Sequence, residues 1–76
     1  MMTYSIHETI IDKYIEVISC STMKDIDFFI RAEKFLDTRS YVNAALIFED
    51  MIKGRQFEAD WYNRVRDFIE FLRSNG

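Results

Sequence analysis

Proline is missing from this chain altogether, and glycine occurs only at Gly54 and Gly76. Without proline no helix is forced to kink or stop, and with so little glycine few positions are set aside for a positive φ. A single cysteine, Cys20, excludes an internal disulfide, so the fold cannot depend on oxidation. A single histidine, His7, leaves no second imidazole to complete a zinc set. No apolar run approaches the ~20 residues that span a bilayer. The opening Met1-Met2-Thr3-Tyr4-Ser5 has no basic region followed by an apolar core, so no secretory signal is expected. These absences predict a cytoplasmic domain with no membrane, metal or cofactor.

What is present is bulk. The 76 residues include seven Phe, four Tyr and one Trp, and 49% of the chain is apolar, too much for disorder. A chain this short makes one domain, residues 1–76, and buries only about 60% of the surface its unfolded form exposes. The large side chains offset that handicap. Net charge is −3 and unevenly placed. Residues 1–52 carry nine acids against five bases, whereas residues 53–76 carry five bases against four acids. The overall balance gives no electrostatic reason to expect strong attraction to nucleic acid.

Four apolar stripes of helical period, each opened by a capping signal, predict an all-α, single-domain four-helix bundle. The first helix is expected over about 6–20. Ser5 and Glu8 fit a capping box, in which the hydroxyl takes a free amide and the carboxylate reaches back to the cap amide. Ile6, Ile10, Tyr14 and Val17 form its stripe, with Ile11, Ile15 and Ile18 beside it. Thr22 and Asp25 repeat the capping logic for a second helix over about 23–36. Its main stripe is Ile26, Phe29, Ile30 and Phe35 or Leu36. A further row of Phe28, Ala32 and Phe35 makes it the element expected to be most buried. The third helix, about 40–53, opens at Ser40 and repeats Tyr41, Ala44, Ala45, Phe48, Met51 and Ile52. Gly54 stands where a left-handed terminating residue is needed. The fourth, about 59–74, carries Trp61, Val65, Phe68, Ile69 and Leu72. Asp60 with Arg64 and Arg66 with Glu70 are spaced to pair along its surface. Trp61, Phe68, Ile69 and Leu72 are expected to face Ile10, Ile26, Phe29, Ile30 and Phe48. Short connections make neighbouring helices antiparallel.

Reactive chemistry is hard to find. His7 reads as a surface helix residue. Cys20, at a helix end rather than an N-terminus, lacks the dipole that activates a thiolate and reads as a partly buried, inert thiol. Asp25 with Asp27, and Glu49 with Asp50, are too close in sequence to converge from one helix face. No phosphate-binding glycine loop, catalytic triad or zinc spacing occurs. The reading is therefore non-catalytic. The one place that carries a functional hypothesis is the C-terminal third, where Lys53, Arg55, Arg64, Arg66 and Arg73 accompany Trp61, Tyr62 and Phe71; the alternative there is a solvated helix face whose five bases are offset by four acids. Bases beside exposed aromatics hold nucleic acid by phosphate contact and base stacking. Clustering of the five on one face favours nucleic acid; scattering favours a protein partner.

The stretch Phe28-x3-Ala32-x2-Phe35-x5-Tyr41-x2-Ala44-x3-Phe48 resembles one tetratricopeptide-type helical hairpin, across about a third of the chain. Arg31 stands where that family places Leu, Gln56 where it places Pro, and no second repeat follows. That resemblance implies a small protein–protein interaction module. Over its whole length, the proline-free, Ile-, Phe- and Tyr-rich chain resembles a small T-even phage protein encoded beside the phage recombination helicase. The resemblance implies a bundle like the HRDC module of RecQ-type helicases. It also implies an accessory role in phage DNA recombination, replication or repair, with weak DNA binding and a helicase as partner, in the host cytoplasm. The Pro and Tyr-Gly signatures of the HRDC family are not in this chain.

Overall fold

The computed structural model describes residues 5–76. The four residues Met1–Tyr4, on which the leader reading rests, lie outside them. Four α-helices account for most of the described chain: α1 (Ile6–Ser19), α2 (Ile26–Asp37), α3 (Tyr41–Ile52) and α4 (Ala59–Ser74). A 3-10 turn, Met23–Asp25, leads into α2. There is no strand among the described residues. The predicted all-α four-helix architecture is the one observed, with each end within three residues of expectation.

Local chemistry explains the helix ends. Ser5 caps α1 as a full capping box: the Glu8 amide donates to Ser5 Oγ, and the Ser5 amide donates to Glu8 Oε1, both at 3.1 Å. Gly54, at φ 76°, ends α3 as expected. The end of α2 is less expected. The Ser40 amide donates to Phe35 O and the Arg39 amide to Leu36 O, the paired bonds of a Schellman motif. Its left-handed position is filled by Arg39 at φ 59°, where glycine is the usual occupant. Two predicted caps are not made. Ser40 gives no side-chain cap, its hydroxyl lying 3.3 Å from Thr38 Oγ1. Neither Thr22 nor Asp25 caps the second helix. Asp25 is drawn instead to Arg55, 30 residues away.

The helices pack as α2 on α3, α3 on α4 and α4 on α1. The core centres on Phe48, fully buried, with ring neighbours Tyr14 at 6.2 Å, Phe29 at 6.1 Å and Phe68 at 5.3 Å. Ile10, Val65, Ile69 and Leu72 complete the predicted apposition of α1 and α4. Three expectations need correction. The most buried helix is α3, with six of its residues in the core against three from α2, because both α2 and α4 pack extensively on α3 whereas α2 has α3 alone as an extensive neighbour. Ile26 and Ile30 are 40% and 52% exposed, since α2 buries the row Phe29, Ala32, Leu36 and no helix covers the other row. Trp61 is half-buried at the bundle's end rather than central.

Tyr14 carries the contact between α1 and α2. Its hydroxyl donates to Phe29 O at 3.2 Å and Glu33 Oε2 at 3.0 Å, and its ring meets Phe29 edge-on. Burial first, then the hydrogen bond and negative charge of Glu33, push the phenol above its ordinary value. The unfolded chain releases this proton near pH 10 while the folded chain keeps it. Stability is therefore whole below about pH 10 and falls as the pH rises beyond it. Urea titrations from pH 8 to 11 are expected to show this loss, and Tyr14→Phe to flatten it while costing about 0.5–1.5 kcal/mol at neutral pH. An equally steep alkaline limb in the variant would remove Tyr14 as its source.

Candidate interaction surfaces

The five predicted bases fall in three places. Arg55, in the turn after α3, is folded inward. Its Nη1 donates to Asp25 Oδ1 at 2.7 Å, and its Nε donates to Glu58 Oε2 at 2.8 Å. Its guanidinium stacks 4.1 Å from the Trp61 ring centroid. The hydrogen bonds to Glu58 and then Asp25 hold Arg55 firmly protonated, and the same contact lowers Glu58 below the usual carboxylate range. Trp61 Nε1–H donates to Ser21 Oγ at 2.7 Å. This cluster ties the α1–α2 connection to the α3–α4 connection. Arg55 is spent on structure.

Lys53, Arg66 and Arg73 do come together, along a shallow groove of about 320 Å³ between α3 and α4. Glu49 and Glu70 line the same groove, and Arg73 is paired with Glu49. The predicted helix pairs are not formed: Arg66 has Asp67 as its carboxylate neighbour at 3.7 Å, and Arg64 and Asp60 make no ion pair. Arg64 lies in a separate groove between α1 and α4, with Lys13, Glu16 and Asp67. The aromatics expected to stack on bases are also occupied. Phe71 has the Lys13 ammonium 5.0 Å from its ring centroid, Trp61 carries Arg55, and Tyr62 is half-buried in the α3–α4 groove.

The lone reactive candidates are placed as follows. His7 is half-buried, not a plain surface residue, with Nδ1 2.8 Å from the Tyr41 hydroxyl. Cys20 is exposed rather than partly buried, and its thiol donates to Val17 O at 3.3 Å. Among the described residues, no three His, Cys, Asp or Glu side chains converge as a metal site. Nor is any helix long and apolar enough to cross a membrane.

Large apolar side chains are also exposed. On α1, Ile11, Ile15 and Ile18 form a row beside the buried Ile10, Tyr14 and Val17; Ile15 is 54% and Ile18 40% exposed. On α2, the row Ile26, Ile30, Glu33 and Asp37 repeats at helical spacing. The Tyr14–Glu33 bond puts that row on the flank of α2 nearest α1. Lys13 over Phe71 puts α4 on the opposite flank of α1, so the isoleucine row of α1 turns toward α2. The two rows border one outer face. Ile26 and Ile30 were expected in the core and Ile11, Ile15 and Ile18 beside it; the surplus of isoleucine on α1 beyond what one seam needs was the available signal. Single exposed apolar residues are ordinary; two rows of them on adjoining helix flanks are less so.

Of the hairpin residues that resemble a tetratricopeptide unit, Ala32, Tyr41, Ala44 and Phe48 are buried, and Phe28 and Phe35 are half-buried. No family model matches the chain, and no curated protein or solved structure matches it significantly.

Proposed function

We propose that this chain is a small, non-catalytic protein-interaction module that docks its partner on the isoleucine face of α1 and α2. The observation that carries this reading is the exposure of Ile15, Ile18, Ile26 and Ile30 on two adjoining helix flanks. Leaving them in water forgoes burial worth roughly 1.5–3 kcal/mol per fully buried side chain, a cost that a partner would recover. The scattering of the five bases supports the same reading. Binding a nucleic-acid backbone needs several cations on one track. Here Arg55 is internally paired, Arg64 is apart, and the remaining three share a groove with two acids. An accessory role beside a helicase fits this mode if the module holds the enzyme rather than its DNA.

The test is an amide-shift titration of the labelled chain with two sets of ligands. One set is amphipathic helical peptides of differing charge; the other is single-stranded, duplex and branched DNA at low and moderate salt. At least one peptide is expected to move the α1 and α2 amides, and the DNAs to move none. Saturable DNA binding mapped to α4 and weakened by Arg66→Glu would replace this reading with the nucleic-acid one.

A further inference from the structure

We infer that the occupant of the α1–α2 face is a basic amphipathic helix of another protein, an inference that rests on the docking reading above. The argument is charge complementarity around an apolar strip. On α1, Glu8 and Asp12 continue the row of Ile15 at helical spacing, and both are exposed. On α2, Glu33 and Asp37 continue the row of Ile26 and Ile30, and Asp27 sits one position past Ile26 at the other end. All three are exposed; two exposed bases, Lys34 and Arg31 (one position past Ile30), share the Asp27 side of α2, so the rim stays acidic by five carboxylates to two cations. Apart from Glu33, which accepts the Tyr14 hydroxyl, and Glu8, which serves the cap of α1, these carboxylates have no hydrogen-bond or ion-pair partner among the described residues. They are free to meet cations from outside.

The pattern selects among occupants. A second copy of this chain docked on the same face would set acid rim against acid rim, which costs energy at every opposed pair. An anionic membrane is repelled for the same reason. A helix with an apolar stripe and lysine or arginine on its flanks satisfies both parts of the face. The stripe covers Ile15, Ile18, Ile26 and Ile30, and the flanking cations reach the carboxylates on either side. Helix-in-groove recognition of this kind reads anchors at i, i+3, i+4 and i+7. α1 and α2 meet through Tyr14 rather than along an extended seam, so their isoleucine rows are not buried against each other.

The experiment uses the whole chain and four synthetic helical peptides of about four turns. The first has a leucine stripe with lysine and arginine flanks. The second keeps the stripe with glutamate flanks, and the third keeps it with neutral flanks. The fourth has the basic composition with its stripe scrambled. The basic amphipathic peptide is expected to bind with micromolar affinity, to shift amides of α1 and α2, and to weaken as salt rises. The glutamate-flanked and scrambled peptides are expected to bind at least ~10-fold more weakly. Ile30→Asp is expected to abolish binding. Asp12→Lys with Asp37→Lys is expected to weaken it about tenfold while leaving the circular dichroism spectrum unchanged, so the inference does not depend on one variant folding. Equal or tighter binding of the neutral or acidic peptide at this face would overturn the inference and leave the docking reading standing. Equal binding of the scrambled peptide would show that charge alone is read, and would overturn it too. Binding of none of the four would sink both. Adsorption of the chain to anionic vesicles through α1 and α2 would replace the protein helix with a lipid surface.

Discussion

Phe48→Ala is expected to leave the protein mostly unfolded at moderate temperature. The side chain is fully buried and touches the rings of Tyr14, Phe29 and Phe68, one from each of the other three helices. Truncation removes the transfer energy of the ring and leaves a cavity that four helices border, at a cost of about 3–5 kcal/mol. A domain of this size has on the order of 4–11 kcal/mol to lose. The melting temperature is expected to fall by roughly 15 °C or more. Thermal circular dichroism measures this directly, with Leu46→Ala as the comparison. Leu46 is 51% exposed, and its truncation is expected to change stability by no more than ~0.5 kcal/mol. A Phe48→Ala protein that melts within a few degrees of the parent would show that the four helices do not converge on this ring.

The contrast between Phe48 and Ile30 shows what the residue pattern carried and what it did not. Both belong to apolar stripes of helical period, and both were expected inside. Periodicity identifies a face that prefers to leave water, but it does not say whether another helix of the same chain arrives to cover it. On α3 every stripe residue is covered, because α2 and α4 lie on either side. On α2 two apolar rows compete, and the chain has enough helices to cover only one. The row with Ala32 admits close approach of α3, so that row is buried and Ile26 and Ile30 stay outside. Helix ends governed by neighbours in sequence were readable, as at Ser5 with Glu8 and at Gly54. Ends governed by distant partners were not. Asp25 looked like a cap because the chain around it reads that way, yet a guanidinium 30 residues on offers two hydrogen bonds that a free amide does not. The site had the same limit. Counting bases in the last third found five, but only the folded arrangement separates the one buried against Asp25 from the three in the α3–α4 groove. The face proposed to dock a partner lies on α1 and α2, where the residue pattern placed Ile26 and Ile30 in the core and the α1 isoleucines beside it.

Replacing Arg55 with Ala is expected to cost about 3–5 kcal/mol, the same range as the core truncation. Asp25 is only 3% exposed, and Arg55 supplies both of its side-chain hydrogen bonds among the described residues, at 2.7 and 3.3 Å. Removing the cation strands a buried carboxylate, whereas removing both partners does not. Asp25→Leu combined with Arg55→Met is therefore expected to regain most of the loss. The stacking of the guanidinium on Trp61 adds ~0.5–1 kcal/mol and provides the reporter. Urea unfolding followed by Trp61 fluorescence and by circular dichroism should give coincident curves for the parent and an early, left-shifted pair for Arg55→Ala. Salt is expected to narrow the gap little, because the Asp25 end of the pair is shielded from ions. Acid separates the two proteins differently. Arg55 holds Glu58 below the usual carboxylate range, so the stabilisation from that contact is present above the range and is lost as pH falls through the folded value. The parent is expected to lose stability on acidification with a contribution that Arg55→Ala lacks. The stability gap between the two then narrows as pH falls from the ordinary carboxylate range toward the lower folded value of Glu58. A gap of less than ~0.5 kcal/mol at neutral pH, or one that widens in acid, would mean that water replaces the guanidinium at Asp25 and that this cluster does not tie the two ends of the bundle together.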